Sequence, residues 1–170
     1  NVVNEYISQS KKVLSNKELF YVEKMKDEMI LTLDTIKKQM EYSTLKDIKT
    51  ENEFEIVKNG KLSTIFKGFI DKIIYKEIEG KVYTAIIDYK TYDVESKMDL
   101  INYGLHLQLP IYMYLLKNNI PNSQIIGFYI QKVFCQDNKY NEDNSLEKRK
   151  IDNLKLSGYS NSDENIIKLL

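Results

Sequence analysis

The sequence predicts an α/β fold: a mixed β-sheet of about four core strands, an antiparallel meander plus a crossover strand, flanked by helices. Three observations carry this. Residues 68–90, GFIDKIIYKEIEGKVYTAIIDYK, read as two β-branched strands around a Glu79-Gly80 turn. Residues 18–40 repeat apolar side chains at helical spacing. Residues 124–134, QIIGFYIQKVF, form an apolar run after a second helical stretch, as a right-handed parallel crossover requires.

Taken in order, the chain opens on Asn1 instead of Met, as an excised segment of a larger protein does. Its 170 residues read as one domain, with a helical lead-in over 1–45, a core over 46–135 and a polar loop and tail over 136–170. In the lead-in, Leu19, Val22, Met25, Met29, Leu31, Leu33, Ile36 and Met40 mark a helix that Asn16 caps, with Leu19 and Phe20 entering the core. The lysines at 11, 12, 24, 26, 37 and 38 are its solvated face. Residues 50–57 alternate as a strand, and Asn59-Gly60 turns the chain into a strand over 61–75.

Beyond the hairpin, 91–97 is a polar loop and 99–118 a helix with Ile101, Leu105, Gln108, Tyr112 and Leu115 along one side. Gln108 and Tyr112, four apart, stack on successive turns, and Gly104 leaves that face bare one turn earlier. Pro110 kinks or restarts this helix, His106 points around it from Gln108, and Pro121 ends it. Residues 136–147 are polar loop, Lys148-Arg149-Lys150 a basic segment, and 161–170 a short helix capped by Ser162 or Asp163.

Lys+Arg and Asp+Glu balance at 25 each, so no bulk positive field advertises nucleic acid. A nucleic-acid site must then be locally basic, or partners must complete its channel. The single cysteine, Cys135, excludes an internal disulfide and a multi-cysteine metal site. No apolar run nears the about 20 residues of a membrane span and no signal peptide is evident, so the expectation is a cytoplasmic chain with no membrane contact.

The hairpin carries the chemistry. With Glu79 and Gly80 as its loop, Ile78 faces Lys81, and counting back sets Asp71 opposite Asp88 on one face, with Lys90 beside them and Tyr89 turned away. Carboxylates whose side-chain bases stand roughly 5 Å apart repel. A hard divalent cation such as magnesium removes the conflict, and the lysine then meets a phosphate oxygen or a water. A solvent-facing hairpin with scattered charge remains the plain alternative.

Asp71, followed by Asp88-Tyr89-Lys90, resembles the D…(D/E)xK signature of the PD-(D/E)XK nuclease superfamily. Residues 103–112, YGLHLQLPIY, carry the Q-x-x-x-Y motif of its RecB-like branch. The wording is most similar to the C-terminal nuclease domain of AddB-type helicase–nuclease subunits, over roughly 51–131 with an echo at 148–158. The resemblance implies a restriction-endonuclease-like core and a metal-dependent DNA nuclease or exonuclease within a helicase–nuclease of recombination and repair. It implies Asp71, Asp88 and the Tyr89 carbonyl as ligands of Mg2+ or Mn2+, Lys90 as catalytic lysine, and Gln108 and Tyr112 as DNA contacts or site supports. Glu53 and Glu55 are weaker metal candidates. DNA and a helicase subunit are the implied partners. The sole cysteine leaves no iron–sulfur cluster within this segment, and no histidine precedes His106 to serve as the branch's upstream metal contact. A phage- or CRISPR-associated RecB-like nuclease, or a catalytically weak DNA-binding module of the same fold, stays open beside this reading.

Overall fold

Ser15 starts the first long element of this computed structural model, which describes residues 2–9, 13–92, 98–134 and 146–170. Its hydroxyl accepts the Glu18 N–H at 3.3 Å and its own N–H donates to the Glu18 carboxylate at 2.9 Å. This reciprocal box satisfies donors that a helix start otherwise leaves bare. Ser15, not Asn16, is therefore the cap of α2 (Asn16–Tyr42), because only Ser15 has a glutamate three residues on. The short α1 (Val2–Gln9) is tied to it where Lys26 Nζ donates to Asn4 Oδ1 at 2.8 Å.

The expected burial of Leu19 and Phe20 is overturned: they are 45% and 66% exposed. Apolar residues sit on several sides of α2, and a helix can turn only one of them to the sheet. Its second half makes the attachment, with Thr32 Oγ1 donating to the Val133 carbonyl, Gln39 reaching the Leu154 carbonyl, and Met40 packed in the core.

Among the described residues, five strands form one sheet in the order β1 (Asp47–Lys58), β2 (Thr64–Ile78), β3 (Lys81–Lys90), β4 (Ser123–Lys132), β5 (Ser157–Ser160). Only β3 and β4 run parallel. The fold class is the α/β class expected, with the meander and the parallel crossover in place and a fifth, edge strand added. Glu79 and Gly80 adopt φ 50° and 75°, the left-handed pair that a two-residue hairpin demands, and Ile78 faces Lys81. The β1–β2 connection is longer than an Asn59-Gly60 turn, since pairing resumes only at Lys58 and Thr64.

Residues 98–119 do not form one helix. A 3-10 turn spans Met98–Tyr103, and α3 begins afresh at Gln108 and ends at Asn119. Gly104 at φ 74° and His106 at φ 54° break the run, because helical backbone has negative φ. Ile101 and Leu105 thus share no helix face with Gln108, and Gly104 is a turn residue rather than a groove floor. Pro110 lies in the first turn of α3, where its missing N–H costs nothing, so it marks a restart.

Two cores flank the sheet. Phe54, Ile70, Ile73, Ile86, Phe128 and Ile130 pack with Leu109, Leu115 and Leu116 of α3. On the other face Leu45, Ile74, Ala85, Ile87, Ile126 and Tyr129 meet Met40 and the C-terminal Ile166, Leu169 and Leu170. The chain closes with α4 (Leu146–Asn153), which contains Lys148, and α5 (Glu164–Ile167), capped by Asp163 through the Asn165 N–H. Lys11, Lys12, Cys135 and most of the loops expected at 91–97 and 136–147 lie outside the described residues. No described helix is long and apolar enough to cross a membrane.

Candidate active site

The β2–β3 ladder stops at Lys72–Ile87, one pair short of Asp71 and Asp88. On β1, the position opposite Asp71 is Glu51, whose φ is 50°, and that pair is also missing from the ladder. Alternation breaks here as well: Ile70 and Ile73, three apart, belong to the same core cluster. Where the strands part, the Tyr89 N–H loses a backbone partner and donates instead to Asp71 Oδ2 at 2.8 Å. A strand residue directs its N–H and C=O to the same side, so the Tyr89 carbonyl lies on the β2 edge of β3.

Asp88 is 1% exposed. Its Oδ1 accepts Gln108 Nε2 at 2.9 Å, and its Oδ2 forms an ion pair with Lys90 Nζ at 2.6 Å. Lys90 Nζ also donates to Gln108 Oε1 at 3.1 Å. Gln108 Nε2 donates in turn to the Tyr112 hydroxyl at 2.9 Å. One amide therefore holds the carboxylate, the ammonium and the phenol together. It can do so because Gln108 is the first residue of α3, delivered to the sheet by the turn before it. Gly68 lets α3 approach: a Cβ there would stand 2.9 Å from Leu115 Cδ1 and 3.5 Å from Tyr112 Cε1.

Burial raises the Asp88 carboxyl above its ordinary range; Lys90 opposes this and the Asp71 charge adds to it. For Lys90, burial alone would lower the ammonium, but the contact with Asp88 and the charges of Tyr92 and Asp71 raise it. Burial, with Asp71, also raises Tyr89. A buried carboxylate and a second carboxylate close enough to act on its charge form an all-oxygen donor set. That set fits a hard divalent cation.

The fold thus gathers Asp71, Asp88, Tyr89, Lys90, Gln108 and Tyr112 in one place. Glu53 and Glu55 stand apart from it. The Glu53 carboxylate forms an ion pair with Lys67, and Glu55 sits opposite Lys67 on the exposed hairpin. No group of three or more His, Cys, Asp or Glu that could hold a metal exists among the described residues. His106 is exposed in the turn before α3. Lys132, which no motif singles out, is set beside Lys90 by the parallel ladder. Strand register across a helical crossover leaves no mark in residue spacing.

Compared with known proteins, residues 2–160 match the family model of the PD-(D/E)XK nuclease superfamily. The chain is 32% identical over 110 residues to a curated component of the ATP-dependent helicase/deoxyribonuclease of Lachnoclostridium phytofermentans, covering 61% of this chain and 9% of that protein. The protein of the same name from Carboxydothermus hydrogenoformans is 33% identical over 128 residues, covering 69% of this chain and 11% of that protein. The chain therefore spans about a tenth of the length of the curated relatives it matches. Among solved structures, that of SSO0001 is similar at TM-score 0.33 and 18% identity, over 82% of this chain and 54% of that one.

Proposed function

The chain belongs to the PD-(D/E)XK nuclease superfamily, and on that premise we propose that it is a divalent-metal-dependent nuclease domain that hydrolyses DNA phosphodiester bonds. The observation that carries the reading is Asp88, buried beside Asp71 and held between Lys90 and Gln108. Asp71, Asp88 and the Tyr89 carbonyl would hold Mg2+ or Mn2+, with waters completing the shell as magnesium commonly requires. Such a cation, when bound, supplies Lewis-acid polarisation of the phosphate and a more acidic water.

The rest falls to the protein. Lys90 offsets the charge that grows on the phosphate oxygens and orients the attacking water. Gln108 fixes where that ammonium can point, through the bond from Lys90 Nζ to its Oε1. The Tyr112 hydroxyl, at the far side of the same amide, seats the DNA strand. In this reading the domain works within a larger helicase–nuclease of recombination and repair, with DNA and a helicase subunit as partners and a cytoplasmic setting; the relatives' name, ATP-dependent helicase/deoxyribonuclease, supports the helicase–nuclease part.

A second reading, a module of this fold that binds DNA without cutting it well, is favoured by the lack of a three-ligand metal group among the described residues. Cleavage of a fluorescent oligonucleotide with Mg2+ or Mn2+, alongside Mn2+ calorimetry, separates the two. Wild type is expected to bind Mn2+ and to cut, and Asp88→Ala to lose metal binding and about 100-fold or more in rate. Equal cleavage by Asp88→Ala would sink the proposal, and a wild type that binds DNA without cutting it favours the second reading.

A further inference from the structure

Lys132 closes β4 as Lys90 closes β3, and the two are direct partners in the parallel ladder. The ladder runs unbroken from Ala85–Gly127 to Lys90–Lys132, so partners keep to one side of the sheet. Ile86 and Phe128 both face the α3 core, as does Ile130, the partner of Asp88. Lys132 therefore emerges on the Asp88 side, about 4.8 Å from Lys90 along the hydrogen-bonding direction. It is half-buried.

Its backbone is held firmly. The Val133 N–H donates to the Lys90 carbonyl at 2.9 Å, and Thr32 donates to the Val133 carbonyl. Gln131 Nε2 reaches the Lys132 carbonyl at 3.2 Å and the Leu154 carbonyl at 2.6 Å. Asp71, midway along β2, acts on Asp88, and Lys90 and Lys132 are ladder partners at the ends of β3 and β4. The acidic pair suits a cation and the basic pair an anion. The carboxyl ends of adjacent parallel strands are also where ligands of open α/β sheets settle.

We propose that Lys132 is a substrate-binding residue that contacts the phosphate next to the scissile one, setting how the DNA backbone lies across the site. The inference rests on the nuclease reading given above. Lys90, in contact with Asp88 and Gln108, serves the reacting phosphate. Lys132 serves affinity and register along the strand. With a formal net charge of zero, the chain depends on such local cations to hold a polyanion.

Two measurements on wild type, Lys132→Ala and Lys132→Arg test this. The first is fluorescence anisotropy with a single-stranded, fluorescein-labelled oligonucleotide in EDTA across a salt series. The second is steady-state cleavage with Mn2+. For Lys132→Ala, KM is expected to rise about tenfold with kcat within about twofold, and the salt slope of binding to shrink by about 0.7. Lys132→Arg, which keeps the charge, is expected to stay near wild type. Wild-type KM and slope in a folded Lys132→Ala overturn the proposal, and so does a loss confined to kcat. If wild type neither binds nor cuts DNA, the nuclease reading itself falls, and this inference with it.

Discussion

At Asp88 two effects oppose each other: burial pushes the carboxyl up and Lys90, 2.6 Å away, pulls it down, with burial the larger and Asp71 adding to it. A folded-state pKa above the unfolded value means that the native chain holds the proton more tightly. Its stabilising contribution is then complete below the unfolded value of about 3.9 and is lost as pH rises through the folded one. Asparagine cannot titrate. In EDTA, the melting temperature of wild type is therefore expected to fall relative to Asp88→Asn as pH climbs from about 4 through the raised value, read by scanning calorimetry. Mn2+ should recover the loss in wild type alone, because a bound cation rewards the ionised form. A pH-independent difference between the two proteins would contradict this account. Lys90 does not confuse the window: its raised pKa contributes stability below its unfolded value of about 10.4 and loses it only above.

Among the elements, α2 carries a well-formed cap on a half that touches little. Ser15→Ala is expected to remove about 1 kcal/mol from the first turns. Leu19, Phe20, Met25, Met29 and Ile30 are all exposed, so the loss should stay local. Hydrogen exchange is expected to quicken at residues 16–24 while the global melting temperature stays put; a drop of several degrees would mean that this half is structurally coupled to the sheet. The same elements tell what could be read in advance. Glu79-Gly80 and the register counted from it were legible, since turn chemistry and strand period are local rules. Asp88, Lys90, Gln108 and Tyr112 were also legible as candidates, and the fold brings them within hydrogen-bonding or charge contact. The break between Tyr103 and Gln108 was not, because apolar spacing runs on through Gly104 and His106 and does not announce their turn to positive φ. Nor was β5, a short polar edge whose SGYS sequence has no apolar alternation. Exposure of Leu19 and Phe20 escaped too: helical spacing identifies an apolar face without saying what covers it.

Across the whole molecule, contacts differ widely in the length of chain they close. Asp71 meets Tyr89 across 18 residues and Asp88 meets Gln108 across 20, whereas Thr32 reaches Val133 across 101. Closing a short loop forfeits less chain entropy, and structure dense in near-neighbour contacts forms sooner. The β2–β3 hairpin is thus expected in the folding transition state and the docking of α2 after it. In stopped-flow chevrons, Ile73→Val should chiefly slow folding and Thr32→Ala chiefly speed unfolding. The reverse pattern would refute that sequence of events. If it holds, a molecule coming apart sheds its long helix first, and Asp71 and Asp88 are among the last residues to part company.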